Sequence, residues 1–457
     1  MRATLKELQG WVAGSRAKGA AAFDGVVTDS RNVVPGSLFV ALRGERFDAH
    51  DFLADVAAKG AAAVVAERIP EGLSVPALIV PDTRLALGEI ARHWRRRFVL
   101  PVIGVTGSNG KTTVKEMIAA VLNAAFGEEN FLATRGNFNN DIGVPLTVFR
   151  LAAGHRAAVI ELGMNHVGEI AYLASIAQPT VGLVNNAQRE HQEFMQSVQA
   201  VAEENGAVIR TLPENGVAVF PADDPFASLW LGYARETGQR QTVTFGLSAD
   251  ADVTGRYSPS QSGSELVLIM EDREFPVKLA TIGLHNVRNA LAAAACCHAI
   301  GVEPDAIVRG LESFASVNGR LQRKTAANGA VIIDDTYNAN PDSVLAAIDV
   351  LAQAASPRIL ILGDMGEVGQ QGRRFHEEAG EYAKKRGIDH MYTMGQLARH
   401  ASDTFGSAGH ADDLAALMKL LEKTITPAAT VLVKGSRFMK MERVVHELIN
   451  QQTREHG

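Results

Sequence analysis

Val102-Ile103-Gly104-Val105-Thr106-Gly107-Ser108-Asn109-Gly110-Lys111-Thr112-Thr113 decides how the rest of this chain is read. The apolar, β-branched first half predicts a buried strand, Gly107 to Gly110 a turn, and the apolar spacing from Val114 to Phe126 a helix. In that order they make a phosphate cradle. Glycines let backbone N–H groups wrap an anion, and the helix N-terminus adds partial positive charge. Lys111 is placed to bridge outer phosphates, and Thr112 to offer its hydroxyl to Mg²⁺. Val105 stands where the longer form of this loop has its first glycine, so the motif is the short Gly-x-x-Gly-Lys-Thr variant. The stretch predicts a nucleoside triphosphate site with Gly107, Ser108, Asn109, Gly110, Lys111, Thr112 and Thr113 around the phosphates.

At 457 residues the chain is too long for one ordinary core, and its length suggests about three domains. Strands alternating with helices predict an α/β fold: a small α/β unit over 1–98, a central phosphate-loop ATPase unit with a mainly parallel sheet over 99–315, and a second doubly wound unit over 316–457. A net charge of -6 without basic runs argues against nucleic acid as a partner. His93-Trp94-Arg95-Arg96-Arg97 reads as a solvated helix end at a domain boundary. The two cysteines, Cys296 and Cys297, are adjacent in an Ala-rich helical stretch and read as core residues. The N-terminus lacks the apolar core of a signal peptide, and no apolar run is long enough to span a bilayer, so a cytoplasmic protein is expected. Nothing demands more than a monomer acting on small molecules.

In the first unit, Ser30 and Arg31 lie in a turn before the strand at Ser37 to Leu42, where they could hold a phosphate or carboxylate, or be an exposed turn with a solvated arginine. In the central unit, Ala157 to Ile160 delivers Glu161, and Val181 to Val184 delivers Asn185 and Asn186, with His191 beyond. Open α/β sheets bind ligands at the carboxyl ends of their strands, so Glu161 falls where a Mg²⁺ ligand belongs. His191 alone reads more readily as a surface or hydrogen-bonding residue than as a ligand. The amide-rich loop from Ala133 to Thr147, with Asn137 and Asn140, suggests ligand positioning. Asn286 and Asn289 share one helical face and could serve a purine edge, cap the helix, or both.

The third unit has strands ending in Asp334-Asp335, Gly363-Asp364, Gly395 and Lys434-Gly435-Ser436-Arg437, and no phosphate loop of its own, so it is expected to close over the nucleotide held by the central unit. A phosphate loop with a metal carboxylate fits a motor, a switch, a kinase or an ATP-dependent ligase. The guanine motif Asn-Lys-x-Asp is not found, and two added units favour an enzyme that activates an acidic substrate.

These segments carry a resemblance. Gly107 to Thr113, Thr134-Arg135-Gly136-Asn137 with Asn139-Asn140, Glu161-Leu162-Gly163-Met164, Tyr337-Asn338-Ala339-Asn340-Pro341, Gly363-Asp364-Met365 and Lys434-Gly435-Ser436-Arg437 resemble the Mur ligases almost end to end, and the Tyr-Asn-Ala-Asn-Pro and Gly-Asp-Met segments are similar to the branch that adds D-alanyl-D-alanine. The resemblance implies an N-terminal domain for a UDP-muramoyl substrate, a central ATPase and a Rossmann-like C-terminal domain. It implies ATP and Mg²⁺, and ligation of D-alanyl-D-alanine to UDP-N-acetylmuramoyl-tripeptide through an acyl phosphate. Ser30, Arg31, Asn137 and Asn140 would contact the muramoyl substrate. Lys111 and Thr112 would serve the phosphates and Mg²⁺, and Glu161 and His191 would complete metal binding, with Lys111, Glu161 and His191 as catalytic residues. Asn286 and Asn289 match the adenine-side motif, and Arg320 and Asp335 the C-terminal contacts to nucleotide. One departure stands out. Where members carry a lysine that is often carbamylated this chain has Asn205, and either Glu203 or Glu204 is expected to supply the missing carboxylate or the second metal is held differently.

Overall fold

In the computed structural model, which describes residues 1–190, 192–195, 197–238, 240–260, 263–406 and 409–450, each run of β-branched residues joins one of three main sheets. The central sheet has nine strands. From one edge they run Arg273–Leu279, Gly263–Met270, Val253–Ser260, Gln241–Phe245, Val217–Pro221, Val181–Val184, Val102–Thr106, Ala157–Glu161 and Phe131–Ala133. All pairings from Phe131–Ala133 through Val253–Ser260 are parallel, and the last two are antiparallel. The sheet is thus mainly parallel, as expected, and its strands are buried because helices cover both faces.

Connectivity places the site. After Val102–Thr106 the chain forms the helix Lys111–Phe126, crosses to the edge strand Phe131–Ala133, and returns as Ala157–Glu161 beside the strand it left. It then crosses to the opposite flank as Val181–Val184. The loops after these strands diverge at a switch point, leaving a crevice at their carboxyl ends. Glu161 pairs with Val105 across the ladder, two residues before the phosphate loop begins at Gly107.

The three-stranded antiparallel extension Val253–Leu279 was not anticipated. Its second hairpin turns at Glu271 and Asp272, both in left-handed backbone with φ of 51° and 57°, the geometry that matches strand twist in a two-residue turn.

The first unit holds a five-stranded sheet in which Val26–Val27, Leu38–Val40, Ala63–Ala66 and Ala77–Ile79 are parallel and Arg16–Lys18 is antiparallel. A separate antiparallel pair joins Arg2–Thr4 to Ala22–Asp24. The third unit has six strands, all parallel except Gln322–Thr325 at one edge. Cys296 and Cys297 are buried in the core of the helix Leu284–Ala299, as read.

The reading of residues 93–97 as a solvated end needs correction. Arg95, on the last turn of helix Thr83–Arg95, is only 5% exposed. Its guanidinium donates to the carbonyls of Ala177 (3.0 Å) and Gln178 (3.2 Å) at the C-terminus of helix Glu169–Ala177, and to Phe98 (2.7 Å). A buried arginine needs acceptors, and a helix C-terminus offers carbonyls with no partners of their own. Arg97 lies over the rings of Trp11 and Trp94. The cluster therefore ties the first unit to the second, and one apolar core runs from Leu5, Leu8 and Leu87 to Leu173 and Ile176.

Candidate active site

One cleft is lined by residues of all three units. At its floor, Gly110 caps the helix Lys111–Phe126 with φ of +83° and no side chain, leaving the N–H groups of the first turn without intrahelical partners. A Cβ at Gly110 would lie 2.7 Å from Asn185 Nδ2 and still closer to Asn289 Oδ1, so packing as well as backbone requires glycine.

The loop is held from behind by amides. Asn185 Nδ2 donates to the Asn109 carbonyl (2.8 Å) and to Asn289 Oδ1 (3.0 Å), and Asn289 Nδ2 donates to Asn286 Oδ1 (3.2 Å). Asn186 Oδ1 accepts from Asn109 N–H (2.9 Å), and Asn205 Oδ1 accepts from Gly107 N–H (2.8 Å). Asn286 Nδ2 donates to the Ile282 carbonyl (2.9 Å). Asn286 and Asn289 line the cleft, but here their amides are spent on the helix and on bracing the loop. That fixes the cradle before any phosphate arrives.

Lys111 Nζ folds back to donate to the Gly107 carbonyl and, at 3.3 Å, to that of Ser108, and it lies 3.5 Å from Glu190 Oε2. Thr112 Oγ1 donates to Glu161 Oε1 (3.2 Å) and accepts from Arg320 (3.0 Å), so the third unit reaches the phosphate loop directly. Arg320 lies over the Tyr337 ring, 4.2 Å from its centroid. Glu161 is 1% exposed; its Oε1 also accepts from Asn139 Nδ2 (2.8 Å), while its Oε2 is buried with no partner among the described residues. A buried carboxylate oxygen without a partner, beside the loop hydroxyl, is the donor set a Mg²⁺ ion takes. Among the described residues no three His, Cys, Asp or Glu side chains converge.

Asp335 pairs with Lys434 (2.6 Å) and accepts from Leu321 N–H (3.2 Å), and all three residues line the cleft. His285 lines it too; burial lowers its pKa, with Lys434 acting the same way and Asp335 opposing. Asn137 and Asn140 also line the cleft, and Asn140 Oδ1 caps the turn at Gly143 (2.8 Å). His191 lies outside the described residues.

Ser30 and Arg31 are not brought into this cleft. Arg31 is bound at both ends to Asp29 (2.9 and 2.7 Å) with 86% of its side chain exposed, and Lys59 donates to the Ser30 carbonyl (3.0 Å). The first unit contributes Glu45 and Arg84 to the lining instead. Neither Glu203 nor Glu204 supplies a carboxylate here. Glu204 caps the helix Glu169–Ala177, accepting from Gly168 N–H and Ile170 N–H (2.8 Å each), and Glu203 is exposed and accepts from Gln199. Asp364, read as a loaded strand end, accepts three backbone N–H groups from Gln396, Leu397 and Ala398 and is structural.

Three family descriptions match in order: the Mur ligase family catalytic domain over 22–95, the Mur ligase middle domain over 105–297, and the Mur ligase glutamate ligase domain over 319–437. The UDP-N-acetylmuramoyl-tripeptide–D-alanyl-D-alanine ligase of Escherichia coli (strain K12) is 42% identical over 97% of this chain and 98% of its own length. The chain belongs to the Mur ligase family. The protein with the same name from Bacillus subtilis (strain 168) is 34% identical over 93% of both chains. The crystal structure of MurF from Acinetobacter baumannii superposes with a TM-score of 0.90 at 34% identity, covering 98% of this chain and 99% of that one. MurF from Thermotoga maritima, solved in complex with ADP, superposes at 0.83 with 29% identity over 94% and 97%. A Mur ligase thus has its three domains in this chain, and an ATP-dependent amide ligase is the enzyme class they form.

Proposed function

We propose that this Mur ligase joins D-alanyl-D-alanine to UDP-N-acetylmuramoyl-tripeptide, releasing ADP and phosphate. The observation that carries the reading is the chain of contacts Glu161–Thr112–Arg320, which sets a metal-type carboxylate, the phosphate-loop hydroxyl and a cation of the third domain around one point of the cleft. The names and near-complete coverage of the relatives support the substrates.

In this reading the loop amides and the first turn of Lys111–Phe126 orient the triphosphate, and Lys111 moves from the Gly107 carbonyl to the outer phosphates. A carboxylate oxygen of the tripeptide attacks the γ-phosphorus, and the bond to ADP breaks. The dipeptide amine then attacks the acyl carbon, phosphate leaves with the former carboxylate oxygen, and the amine gives up a proton. Arg320 and Lys111 stabilise charge on the transferring group. Glu161 and Thr112 would hold Mg²⁺, with His191 as the further ligand the family resemblance implies, and the ion would add charge neutralisation. Asn137 and Asn140 hold the muramoyl substrate within the cleft, Ser30 and Arg31 meet it only outside the cleft once Arg31 leaves Asp29, and Asn286, Asn289 and Asp335 stand on the nucleotide side. In this reading the protein works as a monomer in the cytoplasm, where ATP and a nucleotide-linked substrate meet. Among the described residues no helix is long and apolar enough to cross a membrane.

The test incubates the purified protein with ATP, Mg²⁺, the tripeptide substrate and the dipeptide. Appearance of the pentapeptide mass only when all four are present supports the reading. Nucleotide binding without that product, with either common third residue in the tripeptide, rejects it.

A further inference from the structure

Five lysine and arginine side chains line the cleft, and four of them are engaged. Lys111 and Arg320 sit on the phosphate loop, Lys434 pairs with Asp335, and Arg288 gives both terminal nitrogens to Asp223 (3.0 and 2.6 Å). The fifth is Arg84, from the first domain. One of its terminal nitrogens donates to Asp141 of the central domain (2.9 Å), while Nε and the other terminal nitrogen have no partner among the described residues. One carboxylate thus orients a guanidinium whose remaining donors are open to a second.

Its neighbours make a pocket of mixed charge. Glu45 lines the cleft, is exposed, and has no ion pair among the described residues. Its loop is fastened next to Arg84 by Glu67, which pairs with Arg43 (2.9 Å) and accepts from the N–H and Oγ1 of Thr83 (3.4 Å each). Tyr172 also lines the cleft. Its hydroxyl is buried without a partner among the described residues and abuts Gly88, one helical turn on from Arg84. Burial, and then the charge of Asp141, raise the pKa of Tyr172 and keep it a donor.

Position decides which part of the substrate meets these groups. Asp141 is two residues from Asn139, which donates to Glu161 Oε1 (2.8 Å), and two residues span at most about 7 Å. In the ligase reading, on which this inference rests, the reacting carboxylate lies by Glu161 and Thr112. The side chain of the residue bearing that carboxylate is the piece of the tripeptide within this reach. We infer that Arg84 and Glu45 determine specificity for the third residue of the tripeptide, Arg84 taking a carboxylate at the end of its side chain and Glu45 the ammonium beside it. Diaminopimelate has such an end. Lysine ends in an ammonium alone and leaves the open donors of Arg84 unfilled, so it is the poorer substrate.

The experiment measures kcat and KM, at saturating ATP, Mg²⁺ and dipeptide, for two tripeptide substrates that end in meso-diaminopimelate or L-lysine. Wild type is expected to favour the first by about tenfold or more in kcat/KM. Arg84→Gln is expected to lose about tenfold on the diaminopimelate substrate, in KM rather than kcat, and less than about twofold on the lysine one. An Arg84 that only joins the domains, or that reads a carboxylate common to both tripeptides, would lower both alike, and that result overturns the inference. Glu45→Gln should raise KM for both, and unchanged values overturn the part given to Glu45. Should Arg84→Gln fail to fold, Arg84→Lys serves: a preference reduced by about threefold or more supports the inference, and an unchanged one overturns it. A wild type that uses both tripeptides equally, or favours lysine, overturns this inference alone. One that makes pentapeptide from neither overturns the ligase reading and this inference together.

Discussion

Arg189 of the central domain grips Asp342 of the C-terminal domain: its Nε and one terminal nitrogen both meet Asp342 Oδ1 (3.0 and 2.7 Å), and its backbone N–H donates to Oδ2 (2.7 Å). The other terminal nitrogen reaches Glu378 (2.7 Å). Burial works against the charge on Arg189, but the two carboxylates overcome it and hold the guanidinium protonated. Next to this grip, Asn109 of the phosphate loop and Asn340, the N-cap of helix Pro341–Ala352, exchange amide hydrogen bonds (2.9 and 3.3 Å). The contact between the two domains and the position of the phosphate loop therefore share one set of hydrogen bonds.

Arg189→Ala leaves Asp342 facing Glu378 with no cation between them. The pair is partly exposed, so the loss in stability is modest and falls with added salt. Its effect on the closed arrangement is larger: we expect kcat/KM to drop about tenfold, on the order of 1.4 kcal/mol, with an increased radius of gyration in solution scattering. Unchanged kinetics and an unchanged radius would show that closure does not depend on this grip.

Glu161→Gln keeps an acceptor for Thr112 and Asn139 but removes the charge. We expect the fold to persist, kcat to fall by roughly a hundredfold or more, and the Mg²⁺ concentration needed for half-maximal rate to rise. A variant with the wild-type Mg²⁺ dependence would remove Glu161 from the metal site.

Gly110→Ala puts a Cβ against two asparagine amides and at a backbone angle alanine rarely adopts. The cost in stability is of order 1–3 kcal/mol, read as a lower melting temperature, and analogue binding weakens because Asn185 and Asn289 must shift. Tight nucleotide binding in Gly110→Ala would show that the asparagine brace is dispensable.

His376 gives the pH dependence a definite sign. It is buried, its Nδ1 donates to the Gly372 carbonyl (2.6 Å), and its Nε2 accepts from Met365 N–H (3.0 Å), so protonation destroys the second bond. Burial lowers its pKa below the ordinary histidine value, against smaller opposing effects of the Gly372 carbonyl and Asp364. The unfolded chain therefore binds the proton more readily. The stability this group contributes is present above its unfolded pKa of about 6.5 and is lost as pH falls toward the lowered folded value. His93, His155, His285 and His410 shift in the same direction. We expect the melting temperature to fall between about pH 7.5 and about pH 5.5, and to fall less in His376→Leu, whatever that variant's absolute stability. Equal slopes would assign the effect to the other histidines.

Much of this was legible in the sequence because the signals were local. The strand, glycine turn and helix at Val102 to Phe126 announce themselves by periodicity, and Glu161 follows from a strand ending beside such a loop. Pairings that depend on tertiary partners were not legible. Arg95 looked solvated because the carbonyls that bury it belong to residues 177 and 178, far along the chain. Asp364 looked chemical because a strand-end acid does the same in a cap as in a site. Glu203 and Glu204 were plausible carboxylates by spacing, but the helix turns Glu203 outward and Glu204 into a neighbouring helix N-terminus. Nothing local in the sequence singled out Arg189, and its role emerged once Asp342 and Glu378 were seen beside it. The antiparallel extension after Gln241–Phe245 could have been found from the alternation in Gly263–Met270 and the Glu271-Asp272 turn.

The central claim is that this cleft moves a phosphoryl group onto a carboxylate. It is tested most directly with tripeptide substrate whose reacting carboxylate carries ¹⁸O, incubated with ATP, Mg²⁺ and D-alanyl-D-alanine, by mass analysis of the released phosphate. Transfer through an acyl phosphate places one ¹⁸O in each phosphate released, in step with the pentapeptide formed. Unlabelled phosphate would mean that water, not the carboxylate, attacks ATP, and would contradict the account.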